Sequence, residues 1–234
     1  MGKIYTAMGL MSGTSLDGVD VSIIESDGNQ DYTVIFDRYF QYNNSLISKI
    51  LEARDKIFSK NDLNLYTDQL KSIEKEITLF HVKAVKETLE ISKSDVDLIG
   101  FHGQTIFHNP EIKITKQLGD GKLLSQLTKK KVVYNFRQND IENGGQGAPL
   151  TPIFHNLLAN KIKKNFSLAF PINFLNIGGI ANITTTVDWN NLSKKNKLNA
   201  YDIGPGNCLI DEWIRKNSKK KYDKDGLLAR SGKT

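Results

Sequence analysis

Four segments of the chain gather residue types suited to phosphate and proton chemistry. The first is LMSGTSLDGVD, Leu10–Asp20. Gly9, Gly13 and Gly18 permit close backbone approach or a positive φ. Ser12, Thr14 and Ser15 add hydroxyl donors, and Asp17 and Asp20 suit a magnesium ion held through water. The same residues also make an ordinary Asx or Ser/Thr turn. The second segment is NFRQNDIENGGQGAPL, Asn135–Leu150. Arg137 is a forked cation for a carboxylate or phosphate, and Gly144, Gly145 and Gly147 leave room for a ligand. Asp140 is placed to take a proton from water or a sugar hydroxyl during phosphoryl transfer. The competing reading is an Arg137–Asp140 salt bridge stapling a surface loop.

The third constellation pairs NIGGIANIT, Asn176–Thr184, with YDIGPGN, Tyr201–Asn207. Its turns, Gly178-Gly179 and Gly204–Gly206, offer backbone N–H groups to phosphates. Gly206 and Asn207 open a helix, and Asp202 suits water or magnesium. A dinucleotide site is excluded, because neither turn supplies GxGxxG with a ribose-binding acid at the expected distance. The fourth is FHGQTIFHNP, Phe101–Pro110. His102, Gln104 and Thr105 are polar groups at a strand edge. His102 and His108 lack the acidic companions of a zinc site, so hydrogen bonding near a sugar is the better reading, with a buried supporting histidine close behind. Cys208 has no histidine–acid pair to make it a nucleophile and serves as a small apolar residue at a helix start. The terminal Gly-Lys-Thr is not a phosphate-binding P-loop, because Leu227 stands where that motif needs glycine.

These segments need elements to hold them. Strands are expected at Lys3–Leu10, Val19–Glu25 and Tyr32–Tyr42, joined by turns too short for crossover helices and therefore antiparallel. Helices follow at Leu46–Phe58 and Thr67–Glu90. In the second, Leu70, Ile73, Ile77, Phe80, Ala84, Val85 and Leu89 recur at helical spacing. Val96–Phe101 is read as a strand with His102–Thr105 at its C-terminal end, where ligands favour open α/β sheets. Ile112–Gln117 and Lys131–Phe136 are further strands around a short helix at Leu123–Leu127. Arg137–Gly147 reads as a polar loop and Pro149–Ala159 as a helix. Phe166–Ile177, Ile180–Val187 and Leu198–Ile203 read as strands, with a polar loop at Asn190–Asn196. Asn207 is expected to cap the helix running through Trp213. The strand–glycine turn–strand pattern near residues 4–25 recurs near 172–187. That recurrence predicts a duplicated α/β fold with a nucleotide between its halves and a boundary near Leu158–Phe166.

Composition narrows the classes. The 234 residues are 39% hydrophobic and 25% charged, enough apolar mass for a folded core. No stretch reaches the ~20 apolar residues of a membrane span, and no signal-peptide pattern opens the chain, so a cytosolic protein is expected. One cysteine rules out an internal disulfide. The net charge of +6 suits phosphorylated small molecules. Its lysine runs lack interleaved aromatic platforms, so nucleic acid is not the expected partner.

Taken together, GLMSGTSLDGVD, FHGQT, QLGDG, FRQNDIENGGQGAPL, FLNIGGIANIT, DIGPGN and YDKDG resemble the anhydro-N-acetylmuramic acid kinases along essentially the whole chain. The resemblance implies a ribonuclease H-like, actin-like two-lobed ATPase fold of α/β class, with residues 1–160 as the sugar-side lobe and 161–234 as the start of an incomplete nucleotide-binding lobe. It implies cytosolic enzymes of cell-wall recycling that use ATP and magnesium to open a 1,6-anhydro sugar and phosphorylate it at O6. Asp140 matches the family's catalytic base, which activates water for attack on the anomeric carbon. Gly9, Ser12, Gly13, Thr14, Ser15 and Asp17 match the first phosphate loop. Gly178, Gly179, Asp202, Gly204, Gly206 and Asn207 match the second, with Mg-ATP near Asp17 and Asp202. The sugar pocket falls near His102, Gln104, Arg137, Gly144, Gly145 and Gln146. Dimerisation is common in the family. Relatives in it continue well past the point where this chain stops, so a fragment, a split gene product or a shortened reading frame is expected, with weak ATP binding by this piece alone. The competing function is an inactive remnant, or one half of a split kinase, that binds a partner.

Overall fold

The computed structural model describes residues 3–13, 15–189 and 198–232. Thr14, the polar loop expected at Asn190–Asn196 and the last two residues lie outside them. The chain divides into two compact units, Met1–Ala148 and Pro149–Thr234. Each carries its own sheet, giving a mixed α/β architecture. No described helix is long and apolar enough to cross a membrane.

The first unit opens with β1 (Tyr5–Ser12), β2 (Gly18–Ser26) and β3 (Tyr32–Gln41), an antiparallel meander as expected. In β2 the alternate residues Val19, Val21 and Ile23 are buried, the signature of a sheet with one face on the core. Gly18 is required there, because a Cβ would stand 2.2 Å from the Phe40 carbonyl oxygen. Helices α1 (Asn44–Arg54), α2 (Lys60–Leu65) and α3 (Thr67–Ser92) follow. Asn43 starts α1 by accepting from the Leu46 N–H at 2.8 Å, and Ser59 and Asp62 form a capping box on α2. Along α3, Leu70, Ile73, Ile77, Ala84 and Val85 are buried, with Phe80 and Leu89 packed at the margin of the core. This stripe seats α3 against α1, β2 and β5.

The crossover then delivers β4 (Leu98–Asn109) parallel to β1. The strand expected to end at Phe101 runs eight residues further. Its first half pairs with the parallel strand β6 (Lys131–Tyr134), and its second half pairs with the antiparallel strand β5 (Ile114–Leu118). His102–Thr105 therefore lie within a strand rather than past its end. A register shift against β1 occurs here, and Gly103 has φ +70°. Helix α4 (Gly121–Thr128) joins β5 to β6, with the Asp120 carboxylate accepting from the N–H groups of Lys122 and Leu123. The segment expected as an Arg137–Gly147 loop begins instead with α5 (Phe136–Glu142). Its one buried apolar residue, Ile141, is too little periodicity to read from sequence.

The second unit begins with α6 (Pro152–Phe166), longer than expected and absorbing the start of the strand assigned to Phe166–Ile177. Only β7 (Asn173–Ile177) is extended there; it pairs with β8 (Ile180–Thr185), which pairs with β9 (Asn199–Pro205), all antiparallel. Helix α7 (Cys208–Asn217) follows, and α8 (Leu227–Ser231) is short. The order β7-β8-β9 followed by a helix repeats β1-β2-β3 followed by a helix.

Candidate active site

Parallel pairing of β1, β4 and β6 sends the chain after β1 and after β6 off the same edge of the first sheet. Ser12 is paired with Gln104, and Phe101 with Tyr134, so the His102–Gln104 bulge lies at that edge too. Three of the expected site segments thus converge within one unit: the Gly13–Asp17 turn, the bulge and α5.

The turn is anchored from below. Ser12, 1% exposed, places its hydroxyl oxygen 2.8 Å from Gln104 Oε1, 2.7 Å from Tyr42 Oη and 3.1 Å from the Gly18 carbonyl. Gln104 Nε2 donates to the Gly13 carbonyl at 3.0 Å. Ser12, expected on phosphate, and Gln104, expected on sugar, are both buried and hydrogen-bonded to other parts of the chain. Sequence reading missed Tyr42, which no local motif marks; burial pushes its phenol pKa up. The exposed part of the turn is Ser15 and Asp17, whose side chains hydrogen-bond at 2.6 Å. Leu16 is held at φ +59° with its side chain buried.

On the α5 side, four residues form a hydrogen-bonded chain. His102 Nδ1 lies 2.6 Å from the Gly103 carbonyl, so it carries the proton. Nε2 is left as acceptor and receives the Arg137 Nε–H at 2.8 Å. Arg137 Nη1 donates to the Gly147 carbonyl at 2.7 Å, and the Gly147 N–H donates to Asp140 Oδ2 at 2.7 Å. Burial, then the neighbouring guanidinium, pushes His102 down to about 4, so the imidazole is neutral near pH 7. Burial likewise lowers Arg137. Among the described residues no ion pair joins Arg137 to Asp140, which overturns the stapling salt bridge; Gly147 stands between them. Gly145 is confined by the acid: a Cβ there would lie 2.1 Å from Asp140 Oδ2. Gly144 is a turn residue at φ +90° with open space around its α-carbon, and Gln146 is exposed. His108 sits further along β4, with Nδ1 3.0 Å from Thr115 Oγ1, away from any metal-binding cluster of described residues.

Gly9 lies within β1, before the turn. In the second unit, the β7–β8 turn and the start of α7 are tied to each other. The Asn207 N–H donates to the Gly178 carbonyl at 2.8 Å, and the N–H groups of Gly206 and Cys208 donate to the Gly179 carbonyl. Gly206 has to be glycine, since a Cβ would meet the Gly178 carbonyl oxygen at 2.3 Å. Asn207 holds the N-cap position, but its side-chain amide donates to the Ile177 carbonyl at 2.9 Å and makes no cap bond, contrary to expectation. The N–H groups of Gly206, Asn207 and Cys208, which lead into α7, are therefore engaged with the turn. Gly204, at φ +146°, and the exposed Asp202 end β9 beside this knot.

For a divalent cation, the first turn has a suitable donor set. Asp17 and Asp20 present hard carboxylate oxygens, and partial burial together with the charge of Asp17 raises the Asp20 pKa. A bound cation would relieve the smaller, like-charge part of that shift, so Asp17 in the turn and Asp20 on β2 suit magnesium.

Comparison with known proteins places this geometry in context. The family model for anhydro-N-acetylmuramic acid kinase matches residues 5–234. A protein of Pelagibacter ubique (strain HTCC1062) carrying that name is 56% identical over 234 residues, covering 100% of this chain and 60% of the relative. One from Agrobacterium fabrum is 40% identical over 235 residues, 99% of this chain and 61% of the relative. One from Methylobacterium nodulans is 40% identical over 246 residues, 97% of this chain and 62% of the relative. The chain thus spans about 60% of the length of the curated relatives it matches.

Proposed function

We propose, from the premise that this chain belongs to the anhydro-N-acetylmuramic acid kinase family, that it carries the sugar-side machinery of an ATP-dependent kinase that opens 1,6-anhydro-N-acetylmuramic acid and phosphorylates it at O6. The sheet order β3-β2-β1-β4-β6, antiparallel then parallel, supports a ribonuclease H-like lobe, and the second meander-plus-helix supports the start of a matching one, as in actin-like ATPases. In this reading the first unit holds the sugar and the base, and the second opens the nucleotide lobe.

The observation that carries the reading is the single sheet edge where one bulge holds the first turn directly, through Gln104, and Asp140 at two removes, through Arg137 and Gly147. Asp140 Oδ2 is held by the Gly147 N–H, leaving Oδ1 to take a proton from water. The water oxygen bonds to the anomeric carbon, the C1–O6 bond breaks, and O6 accepts the γ-phosphoryl group as ADP leaves. In the first unit the Ser15–Asp17 turn would meet phosphate, and Arg137 and Gln146 would flank the sugar; in the second, the Gly178–Gly179 and Gly204–Asn207 turns are the candidate phosphate contacts of the nucleotide lobe. Asp17 and Asp20 would hold magnesium, which when bound neutralises phosphate charge.

The test is to incubate the chain with ATP, magnesium and the anhydro sugar, and to look for the sugar 6-phosphate by mass spectrometry. Because this piece alone is expected to bind ATP weakly, product is expected at high ATP concentration, and Asp140→Asn should lower turnover by about 10²–10⁴-fold without weakening nucleotide binding further. An Asp140→Asn chain that turns over normally removes Asp140 as the base. A second reading, a partner-binding protein, is favoured by the bare apolar face of the second sheet, where Leu175, Ile177, Tyr201 and Ile203 are exposed. Product that forms only after a second polypeptide is supplied would select it.

A further inference from the structure

We infer that the His102-Gly103-Gln104 bulge is a positioning device and not a ligand-contacting surface: His102, acting through Arg137 and Gly147, fixes which oxygen of Asp140 is free, while Gln104 separately fixes the first glycine turn. The catalytic consequence rests on the function proposed above; the positioning does not.

Every polar atom of the two side chains is committed. Gln104 is fully buried, its Oε1 on Ser12 and its Nε2 on the Gly13 carbonyl. His102 uses Nδ1 on Gly103 and Nε2 on Arg137, so neither nitrogen is left for a sugar hydroxyl. The tautomer follows from chemistry: a carbonyl only accepts, so Nδ1 must donate and Nε2 must accept. A guanidinium only donates, so Arg137 suits that Nε2 lone pair and no other state of the ring. With Nε fixed on His102, the planar fork directs Nη1 to the Gly147 carbonyl, and this orients Gly147 so that its N–H meets Asp140 Oδ2. Oδ1 receives no hydrogen bond among the described residues. Gly103 makes the arrangement possible, because a Cβ there would sit 2.6 Å from the Leu118 carbonyl oxygen. One bulge in β4 therefore supports both sides of the sheet edge through two hydrogen-bond chains that share no side chain.

Nuclear magnetic resonance on the full chain separates the two arms. Ring nitrogen shifts should assign the Nδ1–H tautomer to His102. Arg137→Lys and His102→Ala should speed exchange of the Gly147 amide about tenfold, as expected for loss of one hydrogen bond, leaving the Gly13 amide in place. Gln104→Ala should move the Gly13 amide and leave the Gly147 amide unaffected. His102→Gln, whose carbonyl can still accept from Arg137, should restore slow Gly147 exchange. Unchanged Gly147 exchange in Arg137→Lys, or equal disturbance of both loops by His102→Ala and Gln104→Ala, overturns the inference. If His102→Ala does not fold, Arg137→Lys and His102→Gln decide alone. Should the chain make no sugar phosphate while these responses appear, the functional reading falls and the positioning stands.

Discussion

At the scale of single residues, Gly145 offers a test of Asp140 that leaves the carboxylate chemically intact. A methyl group at Gly145 would land 2.1 Å from Asp140 Oδ2, so the acid has to move aside. It is the far end of a flexible side chain, and stability should change little. Catalysis should not be so tolerant, because a displacement near 1 Å can lower a rate by about 10²-fold. We expect Gly145→Ala to lower turnover by about that factor with nucleotide affinity unchanged, measured by product formation beside calorimetric titration. Gly144→Ala is the control: it strains a φ of +90° but meets nothing within 4 Å, so its effect should appear in the melting midpoint and not in turnover at a permissive temperature. Equal turnover by Gly145→Ala and the unaltered chain would mean that the carboxylate position seen here is not the working one. The same comparison separates two kinds of glycine that look alike in the string NGGQG. One is demanded by its backbone angle and the other by Asp140, five residues away, which only the folded chain brings close.

At the scale of elements, α3 does more than pack. It carries His81 into the core, where Nδ1 donates to the Ile77 carbonyl at 2.8 Å, Nε2 has no partner among the described residues, and the ring meets Phe101 edge-on at 4.9 Å. Burial pushes His81 down to about 4, and His102 is likewise held at about 4. The unfolded chain takes up these protons near pH ~6.5, and the folded chain refuses them until about 4. Stability should therefore fall as pH drops through that window, by up to ~1.4 kcal/mol per pH unit for each histidine. Urea denaturation between pH 7.5 and 4.5 should find that slope, and His81→Leu should remove part of it; an identical slope in the variant would exclude His81. Neither this burial nor α5 was evident from the residues alone, for related reasons. The α3 stripe is legible because seven apolar residues recur at helical spacing, and the meander is legible because β-branched runs alternate between glycine turns. Helix α5 has one buried apolar residue in a polar run, so its fold is set by the returning loop, in which the Gly145 N–H donates to the Asp140 carbonyl at 2.8 Å. His102 and Gln104 were recognised as important but assigned to ligand, because a strand continuing through them depends on β5, a partner distant in sequence. Their roles, like that of Tyr42, come from contacts between residues 30 or more apart.

At the scale of the whole molecule, the two sheets differ in how they are covered. On the second sheet, α6 closes one face: His155 stacks on Phe174 at 5.0 Å and hydrogen-bonds Thr184, while Asn156 accepts from the Val187 N–H. The strand register sets Leu175 opposite Ile183 and Ile183 opposite Tyr201 on the other face, where Leu175 and Tyr201 are 55% and 51% exposed. Trp213, Leu209 and Ile210 on α7 are also exposed. This much exposed apolar surface is unusual on a free monomer and binds whatever apolar partner is present. The net charge of +6 opposes association but does not cover the face. The chain should therefore bind a hydrophobic fluorescent dye in its native state and self-associate as concentration rises. Leu175→Lys with Tyr201→Lys should weaken both effects. Because these side chains contribute little burial, the melting midpoint should shift by no more than a few degrees, as expected of substitutions worth ~0.5 kcal/mol each. Dye fluorescence and sedimentation velocity across a concentration series provide the measurement. Undiminished dye binding by the folded double variant would show that the apolar surface of the second sheet is not the one in contact with solvent.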